Sequence, residues 1–361
     1  MSSILYSPAL DYAASLRGVI LSPLLSGPLL LAVTYAPNAV RDILLYLDNR
    51  LHGLHSADST LSLSTVTTAL RVLFGLGLIR QLNRTLNTMA ANSWRLTATK
   101  GWDWPNEIAV VTGGCSGIGK SIVEKLVGLG VRVAVLDIQS LPKPMENNPR
   151  IRFFKCDVTS SESVASAADA VRRELGHPSI LINNAGITRP TPILKMPESF
   201  LRRIFAVNCL SLWLTTQQFL PRMIQVNKGH VVTVASIASF VALPTGADYS
   251  ASKAGALAFH ESLACELKHF YKAPNVLTTV VHPNFVRTPL VEDFADHLER
   301  SGVRMLTSEQ IAEPIVAQLK SRRGGQLIIP RSASPISGIR GWPTWLQESI
   351  RDILGRQSIG A

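Results

Sequence analysis

The stretch "VTGGCSGIGK", residues 111–120, decides the fold of this chain. An apolar run, Ile108–Val110, leads into it, and a helical pattern leaves it. Gly113, Gly117 and Gly119 allow the tight strand-to-helix turn and close backbone approach that a pyrophosphate at a helix N-terminus needs. The spacing is G-x3-G-x-G rather than the commoner G-x-G-x-x-G. On these residues alone a plain glycine-rich turn stays open as the alternative.

Outward from that turn, apolar runs recur at Ile108–Thr112, Arg132–Asp137, Ile151–Asp157, Ile180–Asn183, His230–Ser236, Val276–His282 and Gln326–Pro330. Helical stretches separate most of them, and that alternation predicts a parallel sheet covered on both faces. The expected fold is α/β: a single doubly wound Rossmann-type parallel sheet with helices on both faces, plus an apolar N-terminal helical extension. Three regions follow: an apolar membrane-associating region over 1–100, a dinucleotide-binding domain over 101–330 and an amphipathic tail over 331–361.

Acidic and amide side chains then fall at strand ends, where ligands of such sheets bind. Asp137 closes the second strand, placed to accept bonds from adenosine ribose hydroxyls. Its carboxylate would repel a 2′-phosphate, and the next residue is Ile138 rather than a basic one. NAD is therefore the expected cofactor, with NADP the alternative. Asp157 is either a partner for the adenine amino group or a helix-capping residue. In "LINNAG" (181–186), Asn183 and Asn184 suit backbone groups across the switch point, while Ala185 and Gly186 leave room for a ligand.

"DYSASKAG" (248–255) sets Tyr249 and Lys253 one helical turn apart. Alone the pair is surface helix or an acid–base device. Ser236 ends the fifth strand thirteen residues before Tyr249, so a phenol, an ammonium and a hydroxyl meet at one sheet edge. An adjacent ammonium is expected to favour the phenolate and draw the tyrosine pKa down. Ser236 would hydrogen-bond the substrate oxygen.

TGGCSGIG, Asp137, NNAG, Asn208, Ser236, Tyr249 and Lys253 together resemble the short-chain dehydrogenase/reductase superfamily over about residues 104–330, in the family's order and spacing. The resemblance implies an NAD(P)-dependent oxidoreductase in which Tyr249 exchanges the proton. It implies that Lys253 holds the nicotinamide ribose and that Asn208 supports a proton-relay water. Cofactor contacts are implied at Gly113, Ser116, Gly117, Ile118, Gly119, Asp137, Asp157, Val158, Asn184, Ala185, Gly186, Tyr249, Lys253, Pro283, Val286 and Thr288. One departure is Asn284, which stands where glycine is usual. Asparagine tolerates left-handed backbone, so the turn is expected to persist.

"GHVVTVASIAS", "YSASKAGALAFHESLACELK" and "TSEQIAEPIVAQL" are similar to the membrane-associated retinol and hydroxysteroid dehydrogenase branch. That implies a lipophilic alcohol (retinoid, steroid or long-chain alcohol) and its carbonyl as substrates. Residues 288–307 would form the lid. Family helices similar to Met196–Met223 and Tyr249–Phe270 often build a homodimer. The rival readings are a soluble NADPH-dependent carbonyl or 3-ketoacyl reductase and a non-catalytic membrane or lipid-droplet scaffold.

The chain has 361 residues, of which 46% are hydrophobic, and a mean hydropathy of +0.20. Much of that excess precedes Trp102. Gly18–Val40 carries no charge and is long enough to cross a bilayer. Pro23, Pro28 and Pro37 would break a straight helix there, so a kinked span or re-entrant hairpin stands as an equal alternative to a straight crossing. Residues 61–80 are apolar but interrupted by Arg71, which suits an interfacial helix better than a span.

No positive charge precedes the first apolar run, and the start is not Arg-rich, which argues against a secretory signal or a transit peptide. Net charge is +11, but Lys and Arg are scattered without a basic run, so no nucleic-acid partner is expected. Anionic lipid is the better match. Cys115, Cys156, Cys209 and Cys265 have no zinc-like spacing, so no metal is expected and the thiols read as reduced and buried in a cytosol-facing domain. The expected location is the endoplasmic reticulum or lipid droplet. In the tail, Trp342, Trp345, Leu346, Ile350, Ile353 and Leu354 form an apolar stripe that docks on membrane, closes the pocket, or packs on the core or on a dimer partner.

Overall fold

Prolines set the starts of the N-terminal helices. The computed structural model describes residues 8–51, 63–300 and 303–358. Residues 61–62 of the second apolar stretch, 301–302 of the expected lid and the end of the tail lie outside the described residues. Pro8–Met89 forms one unit and the chain from Ala90 onward another.

In the first unit, α1 (Pro8–Ile20), α2 (Pro23–Tyr35) and α3 (Pro37–Leu51) each begin on a proline. Proline is tolerated there because the first helical N–H has no partner in any case. The charge-free stretch is therefore divided between short helices rather than forming one span. Pro28 lies inside α2. The long element is α4 (Leu63–Ala91), whose best window has a mean hydropathy of 1.3, long and apolar enough to cross a membrane. Arg71 lies inside this helix. Gly77 lets α4 approach the first unit's backbone, since a Cβ there would lie 2.9 Å from the carbonyl oxygen of Leu21. Leu24, Tyr35 and Ile79 point outward and are well exposed.

The second unit holds β1 (Ile108–Thr112), β2 (Arg132–Asp137), β3 (Ile151–Lys155), β4 (Ile180–Asn183), β5 (Gly229–Val234), β6 (Val276–Pro283), the two-residue β7 (Val286–Arg287) and β8 (Leu306–Thr307), and β9 (Gly325–Ile329). Its helices are α5 (Gly117–Gly128), α6 (Lys143–Glu146), α7 (Ser161–Glu174), α8 (Glu198–Phe205), α9 (Ser211–Gln225), α10 (Ala247–His269), α11 (Glu292–Arg300), α12 (Ser308–Lys320) and α13 (Thr344–Ser358). Seven strands run parallel in the order β3-β2-β1-β4-β5-β6-β9. The seven apolar runs read from the sequence are these strands, though β3 stops at Lys155 rather than Asp157 and β5 at Val234 rather than Ser236. The pair β7–β8 had no periodic signal because it is two residues long.

Alternating strand residues face opposite layers. Val111, Val133 and Val135 pack with Ile122 and Leu126 of α5 and Ile311 and Ile315 of α12. Val110, Ala134 and Leu136 pack with Val164 and Val171 of α7, Phe219 of α9 and Leu263 of α10. Each fully buried Leu or Ile contributes roughly 1.5–3 kcal/mol relative to exposure. A third cluster joins Ile339 and Trp342 of the tail to Ile237, Phe240 and Val241 after β5, with Ile350 of α13 beside it. The tail thus packs on the core. Cys115, Cys156 and Cys209 are buried as expected; Cys265 is exposed on α10 and departs from that expectation.

Candidate active site

The order reverses at β1, which passes to β2 on one side and β4 on the other, so a crevice opens at their C-terminal ends. Gly113 takes φ 65° there, and a Cβ on it would sit 3.0 Å from the Cα of Ala185. At Gly119 a Cβ would fall 2.0 Å from the Gly113 carbonyl oxygen, so α5 packs on its own loop only with glycine. Ser116 caps α5 in extended backbone without a side-chain cap bond, which leaves the first-turn N–H groups to an anion. Thr112 Oγ1 accepts from the amides of Asn184 (3.0 Å) and Ala185 (3.1 Å). Asn184 Nδ2 returns bonds to the carbonyls of Thr112 and Gly113. These bonds close β1 onto β4 and hold the cradle in a shape that fits a dinucleotide.

Asp137 is 8% exposed; its carboxylate accepts from the amides of Cys115 (2.9 Å) and Gln139 (3.0 Å). Burial, then the Asp137 charge, pushes the Cys115 thiol up to about 12, so this loop cysteine is an inert thiol. Asp157 Oδ1 accepts from the amide and hydroxyl of Thr159. It pins the turn before α7, whose N-cap is Ser160. Both aspartates and Val158 still line the cavity.

On the other side of the crevice, Ser236, Tyr249 and Lys253 line the same cavity. The Tyr249 hydroxyl lies beside the Ser236 side chain, which favours the phenolate. Ser236 Oγ also accepts from the Ala238 amide at 3.1 Å. Lys253, 4% exposed, donates from Nζ to the Val234 carbonyl at 2.8 Å and lies 5.8 Å from the Tyr249 ring centre. Burial lowers Lys253 to about 8 and raises Tyr249 above its usual value, while the Ser236 hydroxyl works in the opposite sense on Tyr249. Burial thus works against the downward pull expected of a neighbouring ammonium.

Asn208 does not line the cavity. It sits behind it in a π-helical turn, Ala206–Leu210, between α8 and α9, a distortion frequent at functional positions. Its amide bonds both backbone groups of Ile187 (2.8 and 2.9 Å) and the Ser252 hydroxyl (3.1 Å). A Cβ on Gly186 would lie 3.4 Å from Asn208 Oδ1 and 3.5 Å from Lys253 Nζ, so glycine keeps the space between them open.

The cavity has a volume of about 580 Å3. Pro283, Val286 and Thr288 line it, together with Gly113, Ser116, Gly117, Ile118, Ala185 and Gly186. The Thr288 side chain would meet a Cβ on Gly117 at 3.1 Å, so it covers the loop. Asn284 does not use left-handed backbone; its amide donates to Ile329 of β9 at 2.8 Å, an ordinary sheet-edge arrangement. Sequence reading missed Thr112, whose only signal was its place before Gly113. It also missed Arg203, Phe285 and His297, all of which reach the cavity. Phe294 and Leu298 of α11 form its apolar outer wall, as the lid reading expected. His282 stands behind Ser236, its Nδ1 3.0 Å from the Ser236 carbonyl.

A family profile described as short chain dehydrogenase matches residues 107–299. Dehydrogenase RED2 of Cochliobolus heterostrophus is 39% identical over 204 residues, covering 55% of this chain and 75% of that protein. Retinol dehydrogenase 10-B of Danio rerio is 42% identical over 144 residues, which cover 40% of this chain and 43% of that protein. A short-chain dehydrogenase/reductase from Burkholderia phymatum, solved with NAD, superposes with a TM-score of 0.62 at 22% identity, covering 68% of this chain and 97% of that one, and so shares the fold. With the dinucleotide cradle and the Ser236–Tyr249–Lys253 edge in place on that fold, this chain belongs to the short-chain dehydrogenases, oxidoreductases that use a nicotinamide cofactor.

Proposed function

We propose that the protein interconverts a lipophilic alcohol and its carbonyl, with Tyr249 as the proton acceptor and donor. The observation that carries this reading is that Ser236 and Tyr249 meet in a cavity whose outer wall is Phe285, Leu290, Val291, Phe294 and Leu298. Such a wall suits a long apolar body. A relative named retinol dehydrogenase agrees with that class.

The bound nicotinamide supplies hydride exchange. The residues that would hold it are the Gly113–Gly119 turn, Asp137 at the adenosine ribose, Lys253 at the second ribose and Thr288. Ser236 orients the substrate oxygen toward Tyr249. In reduction the buried phenol donates its proton; in oxidation its phenolate receives the alcohol proton. Lys253, held at the Val234 carbonyl, keeps a positive charge beside the phenolate as it forms. Asn208 positions the Ile187 backbone and leaves room beside Gly186 for a water leading to Lys253. NAD is preferred: the Asp137 carboxylate is held by two amides, and Ile138 beside it is exposed and carries no charge.

Membrane association of the N-terminal unit is part of the proposal, supported by α4 and the outward apolar side chains of the first unit. The free thiols support a cytosol-facing catalytic unit on the endoplasmic reticulum or lipid droplet. Exposed Leu210 and Trp213 at the start of α9 support a homodimer. The deciding experiment offers retinoids, steroids, long-chain alcohols and polar sugars to the full chain, each with NAD and with NADP. Turnover confined to the lipophilic set with NAD is expected; turnover of sugars alone, or with NADP alone, overturns the substrate or cofactor reading respectively.

A further inference from the structure

In a parallel sheet every strand starts at one edge, so the turns leading into β1, β5, β6 and β9 share the edge opposite the cavity. Those turns are not ordinary polar loops. Trp94 (65% exposed), Leu96 (63%), Phe270 (74%) and Tyr271 (40%) stand out from them into solvent. Trp94 does so from left-handed backbone, φ 60°, which a bulky residue rarely adopts.

Cations interleave these side chains. Lys100, Lys272 and Arg322 are exposed and have no carboxylate partner among the described residues. Arg95 spends its guanidinium on neutral groups, the carbonyls of Pro274 (2.7 Å) and Asn92 (3.1 Å) and the Asn275 side chain, so its charge is uncompensated. Lys228 is neutralised by Glu107 and lies 5.2 Å from the Trp102 ring centre. Between Arg95, Lys100, Trp102 and Lys228 lies a depression of about 290 Å3. Of the carboxylates in these turns and the adjoining helix ends, Glu107 is taken by Lys228, Asp103 accepts from Asn106 and Glu266 accepts from Ser262.

Residues 90–92, where this unit begins, lie at this same edge. Lys268 Nζ donates to the Ala90 carbonyl at 2.9 Å, and Asn92 exchanges two bonds with Gly324 (2.8 and 3.2 Å). We infer that the strand-start edge is a face applied to anionic lipid headgroups, with the Arg95–Lys100–Trp102–Lys228 depression taking a lipid phosphate. Tryptophan and tyrosine interleaved with Lys and Arg is the composition of a headgroup-level surface, and an exposed apolar patch of this kind marks an interaction site. The inference rests on the membrane association proposed above. It adds an orientation: the catalytic edge faces away from the headgroups.

The test reconstitutes the full chain into phosphatidylcholine vesicles with and without phosphatidylserine, checks flotation, and follows backbone hydrogen exchange. Slowed exchange across 94–102 and 268–275 only with phosphatidylserine supports the face, and high salt should reverse it. The triple variant Lys100→Glu, Lys272→Glu, Arg322→Glu should lose that protection while keeping NAD-linked turnover. The salt arm stands by itself if the variant fails to fold. Flotation with both vesicles but no lipid-dependent change overturns the face and leaves membrane association standing. Protection that moves to 190–196 and 344–350, or that an RNA oligonucleotide reproduces without lipid, also overturns it. Failure to float with either vesicle overturns membrane association itself.

Discussion

Lys253 Nζ donates to the carbonyl oxygen of Val234 at 2.8 Å, tying the middle of a helix turn to the last residue of β5, two residues before Ser236. One bond thus sets the distance between the strand bearing the serine and the helix bearing Tyr249. It also explains why a lysine is tolerated at 4% exposure.

Tyr249→Phe is expected to lower kcat by about 10²–10⁴ with dinucleotide affinity unchanged, measured by turnover and by fluorescence titration. Lys253→Met should lower both. Equal loss of affinity in the two variants would overturn the division of roles.

The upward shift of Tyr249 has a sign that kinetics can read. Because burial favours the protonated phenol, alcohol oxidation should quicken steadily as pH rises through neutral, while carbonyl reduction should not gain over the same range. Identical pH profiles for the two directions would count against Tyr249 as the proton-transfer group.

Asp137→Ser with Ile138→Arg should raise the NADP-to-NAD ratio of kcat/KM by about tenfold or more, equivalent to roughly 1.4 kcal/mol. Serine keeps an acceptor for the Cys115 amide, which the native carboxylate engages at 2.9 Å. An unchanged ratio would remove Asp137 as the discriminating group.

Buried histidines make the fold acid-sensitive. Burial holds His230 down to about 3 and His260 and His282 down to about 4, against 6.5 in the open chain. Below pH 6.5 the unfolded chain therefore binds protons that the folded one refuses, and stability falls as pH drops toward those values. Each histidine contributes at most about 1.4 kcal/mol per pH unit in that window. Urea midpoints measured between pH 7.5 and pH 5 should fall, and His260→Leu should flatten the slope.

Gly119→Ala and Gly128→Ala lie nine residues apart in α5 and should behave oppositely. The first places a Cβ 2.0 Å from the Gly113 carbonyl oxygen; the second meets nothing within 4 Å. Loss of dinucleotide binding is expected for the first, and a gain of about 0.5–1 kcal/mol for the second. Thermal melts with and without NAD distinguish them.

What could be read in the linear order was what depends on neighbours along the chain. Seven strands, the glycine turn and the Tyr249–Lys253 pair all follow from apolar period, a steric demand for glycine, and helical spacing. Asn208 was legible only through the resemblance, because its partners are the Ile187 backbone, 21 residues away, and Ser252, 44 away. The Thr112 bonds to Asn184 and Ala185 were hidden in the same way. The direction of the tyrosine shift also needed the tertiary structure: spacing reports a neighbouring ammonium, but desolvation depends on what covers the pair. By itself the sequence determined a doubly wound sheet with a dinucleotide turn and an acid–base pair. Only the tertiary structure decided that Trp94, Lys100, Phe270, Lys272 and Arg322 share one edge, because a parallel sheet gathers all its strand starts on the side away from its active site.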